Sequence, residues 1–409
     1  MMQAFDNAIS GLPVCEIDRI RMKPEIGRFD YGKTQKVKFE NIAFNSVEKK
    51  KPTPEDVSTY IGLEHLDSGT FIVSRWGGDV APVGDKLVMK KGDVLFGKRR
   101  AYQRKVAIAP FDGIFSAHGM VLRPRTDVVD ARFFPFFIAS DQFMNEAVRI
   151  SVGGLSPTIN WKTLKECEFD LPPIEKQREL AELLWAANDL KESYKKLITA
   201  TDEMLKAKFR EMFGECGMMS AECGVKWPTV ELVSVCRRSG EYGMAASADS
   251  FDESKGRYIR ITDITDDGSL NDDVVSPNVC DEKCRLQVND VLFARTGNTV
   301  GKTYIHKHGF CTYAGYLIRY VTNPEVMSPD YLFSYTHTQE YLKWVENTKK
   351  IGAQPNISAS QYDKMPIPLP PLALQQEFVE IARKADETKA VLKKSIADVD
   401  QVIKGMINK

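Results

Sequence analysis

The organisation of this chain is decided by a stretch that occurs twice, first as LPPIEKQREL at residues 171–180 and again as LPPLALQQEF at residues 369–378. Two prolines open each copy, and proline suits the first helical turn because its φ is fixed and it lacks an N–H. The residues that follow are rich in Leu, Ala, Glu and Lys, which favour helix. The sequence therefore predicts two long helices, 172–213 and 370–409, each of about 40 residues and roughly 60 Å.

Both predicted helices carry a seam of apolar or small residues spaced alternately three and four apart. In the first helix the predicted seam consists of Leu180, Leu183, Ala187, Leu190, Tyr194, Leu197, Thr201 and Met204. In the second it consists of Phe378, Ile381, Ala385, Thr388, Leu392, Ser395, Val399 and Val402. This spacing is typical of a coiled coil, so we predict that the two helices pair with each other as an antiparallel coiled coil. The alternative is two unrelated surface helices that pack on separate cores.

The segments before the two helices also repeat each other. In residues 1–171, short β-branched and aromatic runs alternate with Gly, Pro and Asp, which predicts a mixed α/β domain. Its predicted strands are Val14–Ile20, Tyr60–Leu66, Gly69–Val73, Asp93–Phe96, Lys105–Ala109 and Gly119–Arg123, with a helix at Ala131–Val148. Residues 227–369 repeat this order, with YIRITDI and NDVLF matching YIGLEHL and GDVLF about 198 residues earlier. The predicted fold is α+β, an internal pseudo-two-fold duplication in which residues 214–226 form a linker.

The residues after each "DVLF" run form candidate nucleic-acid contacts. Cations, a tyrosine and amides lie together there, and these side chains can neutralise phosphates or bond to base edges. In the first domain the candidates are Lys98, Arg99, Arg100, Tyr102, Gln103, Arg104 and Lys105. In the second they are Arg295, Thr296, Asn298, Lys302 and Tyr304. The loops before the two helices add Ser156, Thr158, Gln354 and Asn356 as candidates for backbone contact. A solvated charged face is the alternative interpretation, and the recurrence of the loop in both halves favours DNA.

Composition restricts the other function classes. The 56 basic and 56 acidic residues cancel, so any nucleic-acid contact must come from local patches. The eight cysteines are scattered without paired metal-ligand spacing, which favours reduced thiols in a cytoplasm and predicts no metal site. No apolar run reaches the roughly 20 residues of a membrane span. We find no phosphate-binding glycine loop and no HExxH or triad-like histidine signature, which predicts a chain without a catalytic site.

Taken together, these motifs resemble the specificity subunit of Type I restriction-modification systems. The resemblance rests on the repeated LPP-x₃-Q entry, on the "GDVLF" and "NDVLF" runs, and on RTGNTVGK at residues 295–302. The segments Pro157-Thr158-Ile159-Asn160 and Pro355-Asn356-Ile357-Ser358 add to it. The first domain departs from the pattern, because KRRAYQRK at residues 98–105 replaces the RTG-type run. The two domains are therefore expected to read different DNA sequences.

The resemblance implies a non-catalytic DNA reader in prokaryotic host defence. Each domain (1–171 and 227–369) would be a target recognition domain that reads one half of a bipartite, asymmetric double-stranded DNA target. The paired helices would set the unread spacer and dock two modification (methyltransferase) subunits, and restriction (motor-nuclease) subunits would join to allow cleavage. No cofactor is expected in this chain, while S-adenosylmethionine, ATP and Mg²⁺ are expected on the partner subunits, with no membrane involved.

Two further hypotheses remain open from the sequence. One is a self-contained DNA methyltransferase or endonuclease built on the same duplicated frame. The other is a coiled-coil hub that joins protein partners without DNA. Turnover by the isolated chain would favour the first, and salt-dependent DNA binding would exclude the second.

Overall fold

The computed structural model describes residues 31–78, 82–213, 227–349 and 355–408. The chain divides into two units, one of residues 1–195 with 393–409 and one of residues 196–392, so each long helix contributes to both units. The predicted linker 214–226 lies outside the described residues, as do the predicted strand Val14–Ile20 and the candidate Gln354.

The domain of the first unit contains two four-stranded sheets and a two-stranded pair. Its strands are β1 (Gln35–Lys38), β2 (Ala43–Ser46), β3 (Lys49–Lys50), β4 (Tyr60–Ile61), β5 (Lys86–Met89), β6 (Val94–Phe96), β7 (Val106–Ile108), β8 (Gly113–Phe115), β9 (Met120–Pro124) and β10 (Glu168–Leu171). Its short helices are α1 (Phe39–Ile42), α2 (Phe134–Ala139), α3 (Asp141–Arg149) and α4 (Trp161–Leu164), and the long helix α5 spans Ile174–Phe213. The sheets have the orders β2-β9-β6-β7 and β3-β5-β8-β4, and β1 pairs with β10.

The domain of the second unit repeats the order of the central sheet. Its strands are β11 (Thr229–Glu231), β12 (Glu241–Tyr242), β13 (Ala248–Ser250), β14 (Arg257–Ile259), β15 (Val275–Pro277), β16 (Val291–Ala294), β17 (Thr303–Ile305), β18 (Cys311–Tyr313), β19 (Leu317–Tyr320) and β20 (Pro366–Pro368). Its helices are α6 (Pro329–Tyr335), α7 (Gln339–Thr348), α8 (Ala359–Asp363) and α9 (Leu372–Ile407). The sheet order β12-β19-β16-β17 matches β2-β9-β6-β7, which confirms the predicted duplication.

Each domain is built in layers around its central sheet, because side chains alternate between the two faces of a strand. In β6, Val94 and Phe96 are buried in the cluster that contains the helix residues Phe137 and Phe143. Leu95 faces the opposite way, into a second cluster with residues of the other sheet. The second domain follows the same alternation, with separate clusters on either face of β16.

A buried glutamine joins each long helix to its domain and explains the glutamine of the repeated entry motif. Gln177 is 1% exposed; its Oε1 accepts from the backbone N–H of Asp130 at 2.8 Å. Its Nε2 donates to the carbonyls of Pro172 at 2.9 Å and Val128 at 3.2 Å. Gln375 occupies the equivalent place in the second copy, with equivalent partners. The amide therefore fixes the angle at which the helix leaves the domain.

The two long helices pair in each unit, which confirms the predicted antiparallel coiled coil. In the first unit the Lys191 Nζ lies 2.6 Å from the Asp400 carboxylate. In the second unit the Lys389 Nζ lies 2.8 Å from the Asp202 carboxylate. Residue numbers therefore rise along α5 as they fall along α9.

The predicted seam of α5 is buried at every second position. Between these positions Leu190, Leu197 and Met204 are partly buried, and the prediction is wrong at Leu183. The buried positions that were predicted are Leu180, Ala187, Tyr194 and Thr201. Leu183 is 50% exposed, whereas its neighbour Leu184 is fully buried. Further along, Lys191 rather than Leu190 is buried, and its ammonium group is paired with Asp400. An apolar pattern cannot reveal a seam position filled by a paired lysine.

The predicted helix Ala131–Val148 is divided into α2 and α3. Ser140 interrupts it with an extended backbone (φ −65°, ψ 156°). Its side-chain oxygen accepts from the backbone N–H of Phe143 at 3.2 Å, so the serine caps the second helix. Serine competes for backbone bonds in this way, which a count of apolar residues overlooks.

Three of the predicted strands of the first domain are confirmed as β6, β7 and β9. The segment Tyr60–Leu66 is a strand only at β4 and continues as a 3-10 turn at Leu63–His65. The segment Gly69–Val73 contains no strand. There Phe71 packs against Phe136 and Trp185. Its apolar side chains are thus used for packing, and Val73 is buried in the cluster of strand residues that contains Leu87 and Phe115.

Candidate nucleic-acid interface

The first basic loop (residues 97–105) joins β6 to β7 in the first domain. The N–H of Gly97 donates to the carbonyl of Lys105 at 3.0 Å, which closes the loop at its base. A 3-10 turn occupies Ala101–Gln103. Arg100 and Arg104, which flank this turn, both adopt the left-handed conformation, at φ 57° and 52°.

A small hairpin (residues 152–158) leads towards the long helix and is bonded to the first basic loop. Val152 and Thr158 exchange two backbone hydrogen bonds, at 3.0 and 2.9 Å. The N–H of Arg100 donates to the carbonyl of Pro157 at 2.8 Å, and its Nε donates to the Ser156 Oγ at 3.2 Å. The structure thus brings together two groups of candidates that are separated by about 50 residues in the sequence.

Some side chains of the first basic loop are exposed to solvent, and others are bonded within the protein. Tyr102 is 56% exposed, and Gln103 is exposed beside it. Arg104 instead forms a 2.7 Å ion pair with Asp141. Lys105 donates to the carbonyl of Leu63 at 2.7 Å. The last two cations hold the loop in place, while the first part of the loop stays open to a ligand.

The first part of this loop carries three successive cations. Lys98 is half-buried, and burial, followed by the nearby charge of Lys49, lowers the pKa of its ammonium group. Arg99 and Arg100 follow directly in the sequence. Clustered positive charge of this kind is what a phosphate backbone would neutralise.

The second loop (residues 294–302) has the same backbone pairing in the second domain. The N–H of Ala294 donates to the carbonyl of Lys302 at 2.8 Å, as Gly97 does to Lys105. The N–H of Gly297 donates to the carbonyl of Pro355 at 3.0 Å, as Arg100 does to Pro157. Thr296 forms a β-bridge with Asn356, as Arg99 does with Thr158.

In the second loop the candidates are held by polar partners. The Arg295 Nε donates to the Asn356 Oδ1 at 3.3 Å, and the guanidinium lies 4.7 Å from the ring centre of Tyr242. Asn298 is exposed. Lys302 is paired with Asp266 at 2.8 Å. Arg295, Thr296, Asn298 and Asn356 therefore form one surface.

Tyr304 lies apart from that surface. It is a partly buried residue of β17, and its hydroxyl lies 3.4 Å from the His306 Nδ1. Burial raises the pKa of Tyr304 to about 12. The structure therefore places this candidate among the packed residues of the domain, away from the exposed end of the loop.

The two loops differ at the two positions that need a left-handed backbone. The first loop has Arg100 and Arg104 where the second has Gly297 (φ 71°) and Gly301 (φ 89°). For a residue with a Cβ this conformation costs roughly 1–2 kcal/mol. Arg104 recovers part of that cost through Asp141, whereas Arg100 has no ion pair among the described residues. A strained, exposed arginine is characteristic of a residue kept for its side chain.

Sequence reasoning missed one residue beside each loop. The carbonyl of His118 accepts from the N–H of Arg99 at 3.2 Å, and the carbonyl of Tyr316 accepts from the N–H of Arg295 at 3.0 Å. Both side chains are exposed. Partial desolvation of the ring, followed by the nearby charge of Arg99, lowers the pKa of His118. The signal was available, because the two residues are 198 apart, the period of the duplication.

Two kinds of feature are absent from the remaining described residues. Among them, no group of three or more His, Cys, Asp or Glu side chains could hold a metal ion. In the same part of the chain, no helix is both long and apolar enough to cross a membrane.

Comparison with known proteins gives a consistent result. The family model for the Type I restriction modification DNA specificity domain matches residues 47–199 and 224–401. The Type I restriction enzyme EcoDI specificity subunit of Escherichia coli is 26% identical over 149 residues, 35% of this chain and 32% of that protein. The match thus spans about a third of the length of that curated relative.

Two solved structures share the fold. One, described as the structural basis of complex assembly and conformational transition of the type I R-M system, has a TM-score of 0.54 and 18% identity, covering 91% of this chain and 96% of that chain. The other is the S subunit of a Type I restriction-modification system from M. genitalium, with a TM-score of 0.53 and 13% identity over the same shares. At these identities the likeness shows the fold alone.

Proposed function

This chain belongs to the family of Type I restriction modification DNA specificity domains, and from that premise we propose that it is the subunit that selects the DNA sequence on which a restriction-modification complex acts. Each domain would read one half of a bipartite target. The observation that carries the proposal is the loop surface built twice, with the same backbone pairing, after the central strand of each domain.

The chemistry of the two surfaces supports different targets for the two domains. The first surface carries Lys98, Arg99 and Arg100, which suit phosphates and guanine edges. The second carries Thr296 and Asn298 beside Arg295, which suit hydrogen bonding to adenine or guanine edges. Within this proposal, the first domain contributes more of the salt-dependent affinity, and the second depends more on individual hydrogen bonds.

Not every candidate has the same role in this proposal. Arg104, Lys105 and Lys302 are bonded within the protein, so we assign them to holding the loops. Tyr304 receives no DNA contact, since its ring is packed in the domain. The exposed side chains of His118 and Tyr316 join the surfaces instead.

We propose recognition rather than catalysis for this chain. Methyl transfer, with S-adenosylmethionine, would belong to two modification subunits that dock on the long helices, and ATP- and Mg²⁺-dependent cleavage to restriction subunits. The lengths of α5 and α9, 40 and 36 residues, would set the number of unread base pairs. Inserting one heptad into each helix should then lengthen the spacer without changing either half-site.

Purified components distinguish this proposal from its competitors. The chain is incubated with DNA, Mg²⁺ and S-adenosylmethionine, alone and with its modification subunits. We expect methyl transfer only when the partners are present, together with binding whose logarithm falls linearly with the logarithm of salt concentration. Turnover by the chain alone would establish a self-contained enzyme. Absence of salt-dependent DNA binding by the complex would establish a protein-interaction hub.

A further inference from the structure

The tip of the hairpin 152–158 exposes an apolar side chain where none is needed for folding. Leu155 is 97% exposed, and Val152 on the same hairpin is 61% exposed. Gly153, at φ 114°, and Gly154 precede the leucine, and a Cβ on Gly154 would have no neighbour within 4 Å. The space around the tip is therefore open, with one large side chain at its end.

The hairpin is held firmly despite its exposed tip. The bonds between Val152 and Thr158 close its stem, and Arg100 is bonded to both Ser156 and Pro157. These hydrogen bonds do not bury the exposed leucine. Its position is thus fixed relative to the first basic loop rather than free to vary.

The charge around the tip identifies what would cover it. Arg100 contacts the residue next to Leu155, and Arg99 bridges to the hairpin stem at Thr158. A partner protein of ordinary composition would meet these cations as uncompensated charge, whereas a nucleic acid would supply phosphates on either side of an apolar base stack. DNA-bending proteins of the minor groove combine basic side chains with apolar wedges, leucine among them, that enter between base steps.

We propose that Leu155 enters the DNA as an apolar wedge that unstacks one base step in the half-site read by the first domain. This inference rests on the proposed function and adds the way in which that half-site is recognised. Because unstacking is easiest at flexible pyrimidine–purine steps, the wedge would favour such a step at one position that makes no hydrogen bond to the protein.

The test uses the complex of the full chain with its modification subunits. The DNA is a duplex that contains the sequence which this complex methylates. The fluorescent base 2-aminopurine replaces each adenine in turn, except the adenine that becomes methylated. With the native chain we expect enhanced fluorescence at one step. Leu155→Ala should abolish it and weaken binding about 10-fold to 60-fold, since three apolar carbons are removed from the contact. Leu155→Met should retain both signals.

Two reference variants separate the possible failures. Val288→Ser removes an exposed apolar side chain of the second domain, 62% exposed, and should change neither signal. If Arg100→Ala weakens binding while Leu155→Ala leaves affinity and fluorescence intact, the wedge is refuted and the proposed function stands. If neither Arg100→Ala nor Leu155→Ala changes DNA binding, the DNA surface itself is wrongly placed. In another outcome, Leu155→Ala lowers affinity although no position shows enhanced fluorescence. If replacing thymine with uracil in the duplex lowers affinity in the same way, Leu155 contacts a thymine methyl group and the wedge is refuted.

Discussion

Replacing the buried glutamine in the first turn of α9 with alanine should show how much the repeated motif contributes to stability. Gln375 is fully buried, and its Oε1 accepts from the N–H of Ser328 at 2.9 Å. Its Nε2 donates to the carbonyls of Pro370 at 2.9 Å and Val326 at 3.1 Å. Gln375→Ala therefore removes three hydrogen bonds and leaves buried backbone groups without that partner. At about 1 kcal/mol for each bond, with some lost packing, we expect the free energy of unfolding to fall by about 3–4 kcal/mol.

The neighbouring residue provides a matched control for urea denaturation. Gln376 lies on the same turn of the helix but is exposed, so Gln376→Ala should change the free energy of unfolding by no more than about 0.5 kcal/mol. Gln177→Ala in the first unit should behave like Gln375→Ala, because its three bonds are equivalent. Equal effects of Gln375→Ala and Gln376→Ala would refute the assigned role.

An isosteric variant sharpens this test. Gln375→Glu keeps the acceptor but replaces the amide donor with a carboxylate that faces two carbonyl oxygens. Burial and these oxygens would raise the pKa of the new carboxyl above its unfolded value. The stability of this variant should therefore rise as the pH falls through that raised pKa, since the folded state then binds the extra proton. A pH-independent deficit would contradict the proposed geometry.

Three further predictions concern single side chains. Arg100→Gly should relieve left-handed strain, leaving the chain as stable as the native protein or up to about 1 kcal/mol more stable, while DNA titrations show weaker binding and a salt slope lower by about one; weaker folding would contradict this. Asp400→Ala leaves the buried Lys191 ammonium without its counter-charge and should cost about 1–3 kcal/mol in urea denaturation, an effect absent if the pair is incidental. The bond from Lys50 lowers the pKa of Asp56 to about 2, so its stabilisation is present above the ordinary value of 3.8 and lost as the pH falls towards 2; Asp56→Asn should flatten this part of the acid-unfolding curve, and an unchanged curve would count against the pair.

The sequence predicted the long helices and their pairing because the features that indicate them are local and occur twice. Proline entry, helix-forming composition and apolar spacing all describe α5 and α9 directly. The prediction missed the buried position of Lys191, whose partner is distant in the sequence. Lys191 can lie in the seam only because Asp400, 209 residues later, reaches its ammonium group.

The sequence predicted which residue types form the candidate surface, but not which of their side chains are exposed. Clustered cations after a strand indicated the first basic loop, but nothing local separates Arg100, which stays exposed, from Arg104, which pairs with Asp141. The exposed Leu155 was also overlooked, because an apolar residue in a glycine loop carries no charge signal. Each of these outcomes depends on contacts made across the folded domain.

Mapping methylated adenines in DNA from cells that carry the whole system tests the central claim most directly, when the native chain is compared with Arg99→Ala and Arg295→Ala. Two independent reading surfaces predict a bipartite target in which Arg99→Ala relaxes one half-site and Arg295→Ala relaxes only the other, each at a cost of about 1–3 kcal/mol in binding. Unchanged methylation in both variants, or relaxation of the same half-site by both, would contradict the account.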